Sequence, residues 1–331
     1  MKVSDTSVSD TGHHICIYGP SKSGKTLLAG LIAAEFNILW FDLEHGSLTL
    51  KQLPLEYQQR IELIRVPDDR TNYQAITTML YVTEGKAVTV CDTHGKIGPC
   101  GTCAIAKAAG NAANIGTEIP VDIERLSPDW VVVMDSMTQL SHSAMGKAFK
   151  GAQSETNIKP EYSHYTAQGF YLDRLFTAVQ NSKANWICIS HEESLEQEDS
   201  SEKIVPMAGT RSFSRNTARY FDHVVYTSIE NYSHVASSSG MDSNKVLAGS
   251  RTGVSLKKNP DANGIISLLR HPKELSVDGA RVVTTKPGIK LPGVTATEKP
   301  ALIDTSNLAG GKPDPLAAVR AKLAAKNLGG T

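Results

Sequence analysis

The chain has no surplus of either charge: 34 Lys and Arg stand against 34 Asp and Glu in 331 residues. That balance excludes a protein held to nucleic acid by its overall field, so any contact with a phosphate backbone has to be local. Long apolar runs are also missing. No stretch of about 18 apolar residues occurs, so no segment reads as a membrane-spanning helix and no membrane partner is expected. The first residues, "MKVSDTSVSDTG", lack the apolar heart of a secretion signal, and a cytoplasmic location is expected. Aromatics are scarce at 6% and there is no internal repeat. Cysteines number five, and three of them, Cys91, Cys100 and Cys103, fall within 13 residues. At 40% hydrophobic, the chain can still bury the core of one large α/β domain with additions.

Short apolar runs recur along the chain: "HICIY" (14–18), "ILWF" (38–41), "IELIRV" (61–66), "WVVVMD" (130–135), "WICIS" (186–190) and "HVVYT" (223–227). Several are apolar at consecutive positions, the pattern of strands covered on both faces. Helical patterns alternate with them at 26–36, 72–82 and 165–182. The alternation predicts a mostly parallel, twisted α/β sheet with helices on both faces. Residues 1–13 read as a flexible tail, 14–284 as the main domain, and 83–120 as an insertion. Residues 245–270 read as further strands. The Pro- and Gly-rich, aromatic-free residues 285–331 are expected to be disordered, ending in a short docking helix or a frayed tail.

"GPSKSGKT" fits the spacing G-x-x-x-x-G-K-[ST] through Gly19, Pro20, Ser21, Lys22, Ser23, Gly24, Lys25 and Thr26. It follows an apolar strand and opens an apolar helix, the context in which backbone N–H groups and the positive end of a helix surround phosphate oxygens. Lys25 is placed to reach the β- and γ-phosphates of ATP, or the β-phosphate of ADP, and the Thr26 hydroxyl to ligate Mg²⁺. Asp135 ends a buried strand, where a carboxylate needs hydrogen bonds or a cation; a magnesium shell is the expected partner. "ILWFDLEHG" sets Asp42 and Glu44 just past another strand, with Glu44 a candidate general base for water.

"CDTHGKIGPCGTC" offers Cys91, His94, Cys100 and Cys103. Three thiolates and an imidazole make a tetrahedral Zn²⁺ set, and four protein ligands point to a structural site. Free cysteines or a disulfide in a flexible loop are the alternative. Cys16 and Cys188 lie in apolar runs and read as small core residues.

Taken in order, "GPSKSGKT", "FDLEHG", "VVVMDS", "ICISHEE" and "MAGTRSFSRNTARYFDHVVY" resemble the RecA-type ATPase core over residues 14 to about 228. Within that group the chain looks most similar to short, phage-encoded ATP-binding and single-strand annealing recombination proteins. The resemblance implies a RecA-like P-loop fold carrying a small inserted zinc lobe. It also implies a homo-oligomeric ring or filament acting on single-stranded DNA in a phage-infected cell, with phage or host replication and recombination proteins as further partners. By position, Glu44 matches the catalytic glutamate and Asp135 the magnesium-shell aspartate. His191 matches a polar γ-phosphate sensor. Arg251, backed by Lys257 and Lys258, matches a residue reaching a neighbour's nucleotide. The segment 143–162, with Lys147, Phe149, Lys150, Lys159 and Tyr162, matches the first DNA loop. The second, 192–203, carries six acidic residues and one lysine, the wrong sign for phosphate. That departure favours the rival reading, a nucleotide-gated assembly ATPase acting on protein without touching DNA.

Overall fold

The computed structural model describes residues 12–69, 72–149, 159–197, 201–238, 245–251 and 262–270. Lys150, Lys257, Lys258, most of the expected N-terminal tail and the whole of 285–331 lie outside these. Gly12 and His13, assigned above to the tail, are buried, and Gly12 donates to the Ser182 carbonyl.

The strands are β1 (His14–Gly19), β2 (Asn37–Asp42), β3 (Ile61–Arg65), β4 (Val88–Cys91), β5 (Glu118–Val121), β6 (Trp130–Asp135), β7 (Asn185–Glu196), β8 (Glu202–Pro206), β9 (His223–Glu230), β10 (Ser233–Ser237) and β11 (Gly249–Ser250). The helices are α1 (Lys25–Leu31), α2 (Leu55–Gln58), α3 (Gln74–Thr83), α4 (Gly101–Ala108), α5 (Met137–Phe149), α6 (Tyr162–Asn181), α7 (Arg211–Asn216) and α8 (Ala262–Arg270). The main sheet runs β10-β9-β1-β7-β6-β2-β3, with β8 added to β7 and β11 to β9. Its five central pairings are parallel; β10, β11 and β8 join antiparallel. Parallel register brings the carboxyl ends of β1, β2, β6 and β7 to one edge, where open α/β sheets bind ligands.

Alternation along each strand divides the core. Cys16, Tyr18, Leu39, Phe41, Val132, Met134, Trp186 and Cys188 pack beneath α3, α5 and α6, through Met79, Leu140, Leu172 and Phe176. The opposite side chains, including Ile15, Ile17, Trp40 and Ile187, are equally buried, on the side where α1 packs against β1 and β7 and α8 packs against α1. Cys16 and Cys188 are core residues, as expected.

Three expectations need correction. Among the described residues of 245–270, the strand is the two-residue β11, and 262–270 form a helix, because Ile265, Ile266, Leu268 and Leu269 make one buried stripe at helical spacing. The acidic segment 192–203 is no open loop: it continues β7 and turns back as β8, with Leu195 and Val205 buried. Residues 143–149 likewise belong to α5 rather than to a loop. β3 is an edge strand, with Glu62 and Arg65 exposed.

Candidate active site

β1 ends at Gly19, and α1 starts at Lys25. Between them the loop packs so closely on β9 that a Cβ at Gly19 would lie 2.2 Å from the Thr227 carbonyl oxygen. Gly24 takes φ +90°, a backbone state open to glycine, with the His234 ring alongside. The buried Ser23 hydroxyl donates to Thr227 Oγ1 at 2.7 Å, and Thr227 in turn donates to the Tyr18 carbonyl at 3.1 Å. Lys25 is buried and its Nζ donates to the carbonyls of Gly19 (3.0 Å) and Pro20 (2.7 Å). Burial lowers its pKa, against the opposing pull of Asp135 and Glu44.

Thr26 Oγ1 donates to Asp135 Oδ2 at 3.0 Å. Asp135 is 2% exposed. Burial pushes its carboxyl up to about 7; the Thr26 hydrogen bond opposes this, while Glu44 and Asp42 add to it. A hydroxyl and a buried carboxylate side by side are hard oxygen donors, the set that fits Mg²⁺. Asp42 is wholly buried and accepts from the Gly46 and Ser47 amides at 3.0 and 3.2 Å. It therefore fixes the turn that carries Glu44.

Glu44 Oε1 lies 3.3 Å from His191 Nε2, both side chains about one third exposed or less. Burial raises the Glu44 pKa, but hydrogen bonds with His191 and Ser136 and the charge of Lys25 outweigh it and leave the carboxyl below its ordinary value. The His191 amide donates to Thr138 Oγ1 at 3.0 Å. Lys25, Thr26, Glu44, Asp135 and His191 thus meet at one sheet edge.

Several supports were missed: Ser136, Thr138, Thr227 and Glu192, whose carboxylate accepts from the Tyr226 hydroxyl at 2.9 Å. Only Ser136 and Glu192 carried a signal, standing next to residues already singled out.

Arg251 sits elsewhere. Its amide donates to the Asp222 carbonyl at 2.8 Å and its guanidinium to the Arg219 carbonyl, beside the start of β9 at the amino edge of the sheet. Lys147 Nζ donates to Thr77 Oγ1 at 2.9 Å and lies 5.7 Å from the Tyr171 ring centre. Phe149 stacks on His164 with centroids 4.4 Å apart. Lys159 is exposed. A cavity of about 530 Å³ opens against β3, walled by His45, Lys51, Arg65 and Thr93 among others; no residue of the 19–26 loop lines it.

The insertion is a β4–β5 hairpin with α4 between its strands. Cys91, His94, Cys100 and Cys103 place one ligand atom each within 4.8 Å of the others. His94 Nδ1 lies 3.5, 3.5 and 3.4 Å from the sulfurs of Cys91, Cys100 and Cys103, and Cys91 Sγ lies 3.6 Å from Cys103 Sγ. A tetrahedron with Zn–S near 2.3 Å and Zn–N near 2.0 Å has edges of roughly 3.4–3.8 Å, so the set fits zinc. The Gly116 amide donates to Cys103 Sγ at 3.2 Å, the kind of outer contact that orients a ligand. The lobe is tied down where Thr78 and Gln74 donate to the Gly95 carbonyl at 2.5 and 3.2 Å.

Among the described residues, no helix is long and apolar enough to cross a membrane. No curated protein matches the chain. Among solved structures it is similar to a prototypical ATPase from the type III secretion system of pathogenic bacteria, at 16% identity and a TM-score of 0.35. That match covers 66% of this chain and 52% of the other, so the chain spans about half the length of that protein. Residues 11–258 match the AAA_24 family, described as an AAA domain. With three quarters of its length so matched and a phosphate loop in place, the chain belongs to the AAA_24 family and is a P-loop ATPase.

Proposed function

We propose that this ATPase hydrolyses ATP with Mg²⁺ at the carboxyl edge of its sheet and couples the cycle to single-stranded DNA, as an oligomer, in phage recombination or replication. One observation carries the hydrolytic part: the Glu44–His191 pair, 3.3 Å apart, stands on the same edge as Lys25 and the Thr26–Asp135 contact. Lys25 leaves its loop carbonyls for the phosphate oxygens. Thr26 and Asp135 hold the cation, which when bound offsets negative charge on the phosphoryl group. Glu44, kept ionised, aligns a water for in-line attack. His191 reports the γ-phosphate through its contact with Glu44. Arg251, remote from the site of its own chain, serves a neighbour's nucleotide in a ring or filament. Cys91, His94, Cys100 and Cys103 hold a structural zinc.

The DNA part draws on the resemblance to phage RecA-like proteins and on Lys147, Phe149, Lys150 and Lys159. The acidic β7–β8 hairpin speaks for the rival, a protein-directed assembly ATPase. Turnover of wild type and Glu44→Gln, with and without single-stranded DNA, tests both parts. Wild type should be stimulated by DNA. Glu44→Gln should keep ATP binding while turnover falls about 100- to 10,000-fold. Unchanged turnover in the variant removes Glu44 from the reaction. A wild type indifferent to DNA leaves the ATPase standing and transfers the client role to a protein.

A further inference from the structure

We propose that, whether the client of hydrolysis is DNA or protein, the open edge of β3 takes an extended, acidic segment of a partner protein as an added strand. Among the described residues β3 pairs only with β2, at the end of the main sheet. The Ile38 amide donates to the Arg60 carbonyl and the Val66 amide to the Asp42 carbonyl. Residues 60, 62, 64 and 66 therefore turn their backbone groups towards β2, and the alternate residues Ile61, Leu63 and Arg65 turn theirs outward. The Arg65 amide donates to the Asp92 carbonyl of the inserted lobe at 2.6 Å. One end of this edge thus already holds a backbone partner, and Ile61 and Leu63 continue the same row. Such a row is a template for one more strand.

The side chains of the same three residues line the cavity of about 530 Å³ described above, a volume in the range of ligand sites. An added strand shares the pleat of β3, so its alternate side chains enter that cavity while its backbone pairs with the edge. The apolar lining comes from half-buried Ile61 and Leu63, buried Leu50, and Leu48, which is 73% exposed. Lys51 and Arg65 line it as exposed cations, with His45 beside them. Carboxylates close by in the sequence are turned away or engaged. Glu62 alternates to the other face of β3, and Glu56 stands two residues, about 200°, round α2 from Gln58 on the cavity wall. Asp92 accepts from the Thr93 hydroxyl and the Thr117 amide, each at 2.9 Å. In a chain of zero net charge, cations beside an apolar lining select a strand whose alternate residues are first apolar, then acidic.

The test follows the anisotropy of a fluorescein-labelled peptide, Leu-Thr-Leu-Thr-Asp-Thr-Asp, on the full chain. Two further forms carry N-methyl groups, one on two threonine amides and the other on two amides of the Leu/Asp set. Wild type should bind the plain peptide, more weakly as salt rises. An added strand pairs through alternate amides only. One methylated form should therefore lose affinity, roughly 5- to 150-fold for two lost bonds, and the other should bind as before. Lys51→Glu/Arg65→Glu should weaken the plain peptide by about tenfold or more and favour the same peptide with lysines for aspartates. Its ATP turnover without peptide should match wild type, because neither residue belongs to the site of hydrolysis. Equal affinity of all three forms, or equal loss in both methylated ones, overturns strand addition. Affinity untouched by the charge reversal overturns the acidic partner. A wild type that binds no peptide, and that the reversal converts from dimer to monomer, gives the edge to a second copy and also overturns the proposal.

Discussion

The sheet edge and the Cys/His lobe are built in opposite ways. Lys25 opens the helix after β1, Glu44 follows β2, Asp135 ends β6 and His191 stands on β7 opposite the last residue of β1, and only the parallel register of β1, β2, β6 and β7 brings them together. The lobe's ligands come from one run of 13 residues, Cys91 to Cys103, and its helix α4 buries only Ala106. The edge is thus a product of the core. The lobe has little core of its own, and under the zinc reading proposed above the metal would supply part of its folding energy. The two regions should therefore fail separately, and substitutions can break or sharpen that contrast.

The largest effect is expected at the edge. Lys25→Ala removes a buried ammonium whose hydrogen bonds to phosphate oxygens contribute about 1.5–3 kcal/mol each. ATP affinity, followed by calorimetry, should fall by roughly 100-fold or more. Elemental analysis of the same variant should still find about one zinc per chain, because no lobe contact passes through Lys25. Tight ATP binding in the variant refutes the phosphate-loop assignment, and loss of zinc refutes the independence of the two regions.

The converse experiment acts on the lobe. Cys103→Ser, or a chelator on the wild type, should release zinc and open residues 91–118 to proteolysis. DNA-independent turnover should drop by less than about tenfold, since the lobe joins the body through Val90 in the core and through the Gly95 and Asp92 carbonyls, and not through the residues of the sheet-edge site. A metal-free protein resistant to protease across 91–118 would remove the zinc claim. Turnover abolished together with the metal would show that the lobe supports the edge.

How legible each region was follows from the same contrast. Chelating spacings are local, so Cys91, His94, Cys100 and Cys103 could be read from the sequence. The phosphate loop is local too, and Glu44 and Asp135 stand out because an acid ending an apolar run demands a partner. What escaped depends on partners distant in the chain. Thr138 looks like any helical threonine until β7 brings the His191 amide to it. Thr227 matters only because β9 lies beside β1. The β7–β8 hairpin was hidden by its charge: alternating burial survives at Leu195 and Val205, but the acidic residues between them resemble a solvated loop. In α8, four apolar residues in five positions fit a strand nearly as well as a helix, and packing against α1 decides the matter.

The smallest effect sharpens the comparison most, because it tests whether the edge depends on a contact that touches no substrate. Thr138 Oγ1 accepts from the part-buried amide of His191 at 3.0 Å and lies 3.4 Å from Ser190 Oγ. Thr138→Val keeps the shape and leaves that amide without its acceptor, at a cost of about 1–3 kcal/mol. If the cost is borne as lost stability alone, the melting temperature falls and turnover per folded molecule is unchanged; Thr138 is then only structural. If His191 moves off Glu44 to relieve it, kcat falls about 5- to 10-fold with KM for ATP nearly constant, and Thr138→Ser restores it. We expect the second outcome. His191 and Glu44 are both partly exposed and free to separate, whereas β7 is locked between β1 and β6 and cannot shift its backbone to find another acceptor.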